Sequence, residues 1–333
     1  MYVCPPHTMA HVRSAVMEAA VDDRLTVLYL IAKGRSGSNI LAHFLGQLDS
    51  YCNTGELHHL WKWGLEESGR CGCGRTVPEC ELWSKVVANP HLAGADPATV
   101  ETWQEEILAW RAVPRLLRLK PTERAGWESL DRYCRVRAAL YRAVAEESGA
   151  KVVVDASKWP WDPVVLGLVP EVRPVVVHLV RDPRAVAHSW RRRKSWGDHE
   201  DGATEMPRFG AGYSALSWLA RNAATEWTHR KSSDVPWMLV RYEDFAARPR
   251  EILNTIAEHA GHPAEAPFVD EHTARVHPTH GVGGNPSKFS LGDVAIVPDE
   301  EWQSAMSGLD RWVTTAVSAP LLFRYGYAFT APG

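Results

Sequence analysis

Four short apolar runs constrain this chain more than any other feature: Leu25 to Ala32, Lys151 to Val154, Pro174 to Val180 and Pro236 to Val240. Each is continuous rather than alternating, the pattern of a central strand in a sheet covered on both faces. Each stops at polar residues: Lys33-Gly34-Arg35-Ser36, Asp155-Ala156-Ser157-Lys158, Arg181-Asp182-Pro183 and Arg241-Tyr242-Glu243-Asp244. Segments of helical spacing follow most of them. Strands alternating with helices mean βαβ units, so the expected class is α/β with a central, mostly parallel sheet flanked by helices. Ligands of such sheets bind beyond the carboxyl ends of the strands, so the four polar clusters should share one side.

The first cluster has the most detail. After Leu25 to Ala32 comes the turn Lys33-Gly34-Arg35-Ser36-Gly37-Ser38-Asn39, then an apolar-periodic helix from Ile40 to Leu48, then a second short strand closing at Thr54-Gly55-Glu56. A glycine turn that opens a helix gathers backbone N–H groups and the positive helix end on one spot, a place for phosphate or sulfate. A nucleotide kinase would carry Gly-Lys-Ser/Thr there. Here Ser38 follows Gly37, and the cations Lys33 and Arg35 precede it. That arrangement suits an anion neutralised without Mg²⁺. The plainer alternative is a tight turn with no ligand.

A second grip follows the third run. Pro183 suits the first turn of a helix, and Ser189 lies about two turns beyond Arg181. Arg with Ser can hold a second phosphate, the guanidinium in bidentate fashion. Arg191-Arg192-Arg193-Lys194 extends this helix, and a solvated basic face is the alternative there.

With these motifs in place, the chain resembles the PAPS-dependent sulfotransferases, whose donor is 3′-phosphoadenosine-5′-phosphosulfate. Arg35-Ser36-Gly37-Ser38-Asn39 is similar to their 5′-phosphosulfate loop, in the arginine variant of carbohydrate and tyrosylprotein sulfotransferases. Arg181 through Ser189 resembles the 3′-phosphate motif. Tyr242 matches a tyrosine that approaches the adenine, and Gly283 to Phe289 resembles the loop that closes over the donor. The resemblance implies a sulfotransferase-type three-layer fold with PAPS as donor and 3′,5′-ADP as product. The donor would be held by Arg35, Ser36, Gly37, Ser38, Asn39, Arg181, Ser189, Arg193, Tyr242, Gly284, Asn285 and Lys288. Gly55-Glu56 resembles the Gly-Glu pair of tyrosylprotein sulfotransferases, which makes Glu56 the expected base. His58 and His59 compete, because cytosolic relatives use histidine, and Glu56 orienting Arg35 is a third option. A carboxylate base near neutral pH needs a raised pKa or a tight hydrogen bond to the acceptor hydroxyl. Lys158 stands where bacterial and carbohydrate members carry a similar Asp-Ser-Ser-Lys, so it would act with Arg35 on developing charge. The alternative is a strand-end lysine paired with Asp155 or Asp162. The acceptor would be a hydroxyl-bearing small molecule, carbohydrate or glycolipid, and the reaction needs no metal.

The rest of the chain bounds these expectations. Its 333 residues allow one large α/β domain or two smaller ones, and we read one. Residues 1–24 read as a helical lead-in. Residues 57–150 read as a helical and loop insertion shaping the acceptor pocket, and 277–298 as a glycine- and proline-rich closing loop. Asp96 and Pro97 mark a helix start, and Pro114 and Pro121 separate two helical stripes. Lys+Arg of 37 against Asp+Glu of 40 leaves a net charge of −3, which excludes a bulk nucleic-acid binder. No run is long enough for a membrane span, and no secretory signal is apparent, so a reducing cytoplasm is expected. There Cys71, Cys73 and Cys80 read as buried thiols in a pocket wall. Three zinc ligands completed by a histidine or Cys52, or a disulfide, are the alternatives. Two rival functions remain: a Mg²⁺-dependent nucleotide phosphotransferase, and a nucleotide- or glycan-binding module without turnover.

Overall fold

The computed structural model describes residues 23–193, 205–232 and 234–329. The lead-in expected before residue 23 and the position of Lys194 lie outside the described residues. All four apolar runs are strands: β1 (Leu25–Ala32), β3 (Val152–Asp155), β4 (Val172–Val180) and β5 (Trp237–Arg241). The short strand before Glu56 is β2 (Tyr51–Gly55). They form one five-stranded sheet in the order β2-β3-β1-β4-β5, with every pairing parallel.

The register explains why the runs do not alternate. Val27, Tyr29 and Ile31 of β1 enter one apolar cluster, while Leu28, Leu30 and Ala32 enter another on the opposite face. Both faces are covered, so both sets of side chains are apolar. The Glu128–Ser148 helix covers the first face with Tyr133, Leu140 and Val144. The Ser38–Leu45 and Pro249–His259 helices cover the second. β5 departs from the expectation of a central strand. It pairs only with β4 among the described residues and leaves Leu239 52% exposed. An apolar run alone does not reveal whether a strand lies inside the sheet or at its edge.

Asp96 caps the Pro97–Leu108 helix through the Thr99 N–H, as its position suggested. The closing loop is more structured than a lid alone. β6 (Thr273–Val276) and β7 (Gly292–Ala295) form a small antiparallel sheet at its ends. Between them, Val282 bridges Gly55 at the end of β2, which brings Gly284 and Asn285 over the strand ends.

Candidate active site

The turn after β1 is held by the Ser36 N–H donating to the Lys33 carbonyl at 3.1 Å. Gly37 has a φ of 87°, where a side chain is strained, and a Cβ there would overlap the Tyr242 ring. The Ser38–Leu45 helix starts from Gly37 without any side-chain cap, so no capping side chain takes up its first N–H groups. Arg35 and Lys158 also take left-handed φ values, 75° and 71°. For non-glycine residues this costs about 1–3 kcal/mol each and marks positions held by their surroundings.

Two cavities meet over this turn. The first, about 330 Å³, is lined by Arg35, Gly37, Asn39, Arg181, Ser189 and Tyr242, with Asn285 and Asp299 at its rim. Arg181 Nη1 donates to the Arg35 carbonyl at 3.1 Å, and its guanidinium stacks 4.5 Å from the Tyr242 ring centre. Asp299 lies against Arg181 Nη2 at 3.1 Å and Arg192 Nη2 at 2.8 Å. Burial raises the Asp299 pKa, but Arg181 and Arg192 outweigh it and hold the carboxyl below its usual range. Among the buried polar atoms without a protein partner here are Ser36 Oγ, Arg181 Nε and Arg192 Nε. The hydrogen-bond partners of Arg35 are neutral: Asn285 Oδ1 at 3.1 Å and Met206 Sδ. Orphaned donors beside a cation bonded to neutral groups fit a bound polyanion.

The second cavity, about 260 Å³, is lined by Lys33, Arg35, Glu56, His58, His59, Lys158, Trp159, Trp190, Met206, Arg221, Gly284 and Asn285. Glu56 and Lys158 form its floor, joined at 2.5 Å. Burial raises the Glu56 pKa, but Lys158, His59 and Asn39 together hold it below the usual range. The raised pKa that one route to a base required is therefore not what the site builds. His59 Nε2 lies 3.7 Å from Glu56. His58 is held neutral by burial and by neighbouring cations, and its Nδ1 has no partner. The alternative pairing of Lys158 with Asp155 or Asp162 is not formed. Arg137 takes both carboxylates, and Tyr141 and Ser157 also bond Asp155. This buried network fixes the turn that aims Lys158.

Arg35 and Asn285 line both cavities, so a group held at Arg35 is open to the Glu56 side. A sequence profile of the sulfotransferase family matches residues 28–266. The chain belongs to the sulfotransferase family. Among solved structures, it is similar to the sulfotransferase domain from the curacin biosynthetic pathway. That likeness is 14% identical, covers 92% of this chain and 99% of that one, and has a TM-score of 0.51. The sulfotransferase domain of the Synechococcus PCC 7002 olefin synthase is 19% identical, with 94% and 99% coverage and a TM-score of 0.46. A search of curated proteins gives no significant match.

Within this sulfotransferase, seven of the twelve residues expected at the donor site line the first cavity: Arg35, Gly37, Asn39, Arg181, Ser189, Tyr242 and Asn285. Ser36 and Ser38 are buried in the same turn and helix start, Gly284 lines the second cavity, and two lie elsewhere. Arg193 is exposed beyond the end of the Pro183–Arg191 helix. Lys288 is buried and donates to the Arg70 carbonyl at 2.7 Å, on the Phe289 side of its loop. Asn39 is shared, lining the first cavity while bonding Glu56. From residues 57–150, only His58 and His59 line the second cavity among the described residues. Cys71, Cys73 and Cys80 do not line it. Sequence reasoning missed Asp299, Trp159, Trp190, Met206 and Arg221. Trp190 had one signal, its place directly after Ser189 in the same helix.

Proposed function

We propose that this sulfotransferase moves a sulfuryl group from PAPS to a hydroxyl of a small-molecule, carbohydrate or glycolipid acceptor. The observation that carries this reading is the sharing of Arg35 and Asn285 by a basic cavity and a cavity floored by a carboxylate. When bound, PAPS supplies the sulfuryl group and leaves as 3′,5′-ADP. The backbone of residues 36–39 and the Arg35 guanidinium hold the 5′ side. Arg181 and Ser189 hold the 3′-phosphate, displacing Asp299, and Tyr242 flanks the adenine. Asn285 orients Arg35.

On the other side, Glu56 receives the acceptor's proton. Its low pKa makes it a weak base, so its contribution is proximity and orientation. In a loose, in-line transfer the hydroxyl becomes acidic as the new bond forms, and an already ionised carboxylate then suffices. Lys158 and Arg35 direct positive charge at the oxygens where negative charge develops. Trp159, Trp190 and Met206 give the acceptor's body an apolar surface. Among the described residues no helix is long and apolar enough to cross a membrane. The five described cysteines are free, and the reading places the reaction in a reducing cytoplasm.

The test is calorimetric titration of 3′,5′-ADP and of ATP, each with and without Mg²⁺, followed by sulfate transfer to a panel of hydroxyl acceptors. The expected result is tighter 3′,5′-ADP binding that ignores removal of Mg²⁺, and label transfer from PAPS. Preference for ATP with Mg²⁺ would replace this reading with a phosphotransferase. Donor binding without transfer to any acceptor would replace it with a binding module.

A further inference from the structure

Away from both cavities, three cysteines and one histidine converge behind β2. Cys71 and Cys73 sit in a tight turn in which the Cys71 N–H donates to the Arg75 carbonyl at 2.8 Å and the Gly74 N–H to the Cys71 carbonyl at 2.9 Å. Cys80 immediately precedes the Glu81–Val87 helix, and its side chain caps nothing there. His280 arrives from the closing loop, with Nδ1 3.2 Å from Cys80 Sγ and 3.9 Å from Cys71 Sγ. One ligand atom from each of Cys71, Cys73, Cys80 and His280 lies within 4.8 Å of all the others.

We propose that Cys71, Cys73, Cys80 and His280 bind a structural zinc ion. Tetrahedral zinc with Zn–S near 2.3 Å and Zn–N near 2.0–2.1 Å sets its ligands roughly 3.8 Å apart for S···S and roughly 3.6 Å for S···N. The two S···N spacings, 3.2 and 3.9 Å, bracket the second value. Three thiolates and an imidazole fill four positions and leave none for a reacting water, which is the closed, structural type. Hydrogen bonding accounts poorly for the cluster, because thiols are weak donors and one imidazole nitrogen serves one partner. A disulfide would use two of the sulfurs and leave the third and the imidazole unexplained.

The backbone around the ligands is built for the same close approach. The Gly72 N–H donates to the Gly281 carbonyl at 2.9 Å, and a Cβ at Gly72 would meet the Thr279 carbonyl oxygen at 2.6 Å. Trp83 Nε1 donates to the His280 carbonyl at 2.8 Å. Two residues beyond His280, Val282 donates to the Thr54 carbonyl at 2.8 Å and accepts from the Glu56 N–H at 2.7 Å. Gly284 and Asn285 follow at once. The ion therefore pins the Cys71–Cys80 segment to the strip of chain that flanks Glu56 and carries Asn285. It touches no reacting atom and acts by positioning.

The experiment uses the whole chain, purified without a metal-affinity tag, with zinc measured by mass spectrometry. One zinc per chain is expected, retained through dialysis. Protein produced in cobalt-supplemented medium should show the visible d–d bands of tetrahedral cobalt and a thiolate-to-cobalt charge-transfer band. Cys73→Ser and His280→Gln should each reduce zinc content by about tenfold or more, while Cys134→Ser, in the Glu128–Ser148 helix, should keep it. Wild-type protein without zinc and without the cobalt spectrum overturns the site, whatever the variants do. So does a native disulfide between any two of the three cysteines, or zinc that persists in both ligand variants. None of these readouts depends on the donor or the acceptor.

Discussion

The two cavities that meet at Arg35 are built in different ways. The cavity on the Arg181 side is built around one contiguous turn, to which more distant segments add single side chains. The turn 35–39 supplies backbone N–H groups, and Arg181 and Ser189 come from one strand-end-plus-helix segment. The acceptor-side cavity is assembled from side chains of many segments, and its central pair, Glu56 and Lys158, is 102 residues apart. Polyanion recognition can be written in a turn, because main-chain N–H groups and a helix end supply it. A reacting pair for an arbitrary acceptor needs side chains aimed from different directions. If this contrast is right, substitutions on the two sides should separate, one group changing turnover and the other donor affinity.

The largest expected effect is at Glu56. Glu56→Gln should reduce kcat by about 10²–10⁴-fold, the usual range for a general base, with 3′,5′-ADP affinity nearly unchanged by calorimetry. Near-normal turnover would break the comparison on its acceptor side and move the base to His58 or His59. Next comes Arg181→Ala. Losing a charged hydrogen bond of about 1.5–3 kcal/mol should weaken 3′,5′-ADP binding by roughly 10- to 150-fold. Equal affinity would remove the 3′-phosphate from this cavity.

A smaller effect of opposite sign is expected at Asp299, whose carboxylate pairs with Arg181 and Arg192. Asp299→Asn should tighten 3′,5′-ADP by about two- to fivefold, as fits a partly exposed ion pair. Weaker binding would show instead that Asp299 holds Arg181 in place. The smallest effect is on pH dependence. Burial, with Arg221 nearby, pushes the Lys33 pKa down to about 8. Lys33 is thus cationic below pH 8 and neutral above it, and kcat/KM should fall by about half as pH reaches that value. Lys33→Arg should abolish this limb. Stability moves the other way: between about 8 and the ordinary lysine value the unfolded chain binds the additional proton, so folding stability rises with pH there. Glu56, held low, should add no limb in the neutral range. An acid limb in the neutral range would point away from Glu56 as the base.

How much of this was legible in the sequence follows the same division. The strands were readable because burial on both faces imposes unbroken apolar runs, and Val27 with Leu28 shows the two faces directly. The turn from Lys33 to Asn39 was readable because its residues are neighbours in the chain. Arg193 and Lys288 show the limit: an expected basic residue one turn too far, or on the other side of a loop, points elsewhere. The position of β5 at the sheet edge was not readable either, since order across a sheet is not a local property.

The chain's own order of residues thus determined the parallel α/β class, the turn at Arg35 to Asn39 and the placing of Arg181 and Ser189 on one strand-end-plus-helix segment. Each depends on spacings within a few turns of backbone. The tertiary structure decided the rest. It turned Lys158 onto Glu56 while Arg137 claimed Asp155 and Asp162. It set Asp299 across Arg181, and it brought His280 to Cys80 from 200 residues away. Side-chain pairing over such separations follows from which strand ends and loops pack together, and no local pattern encodes that.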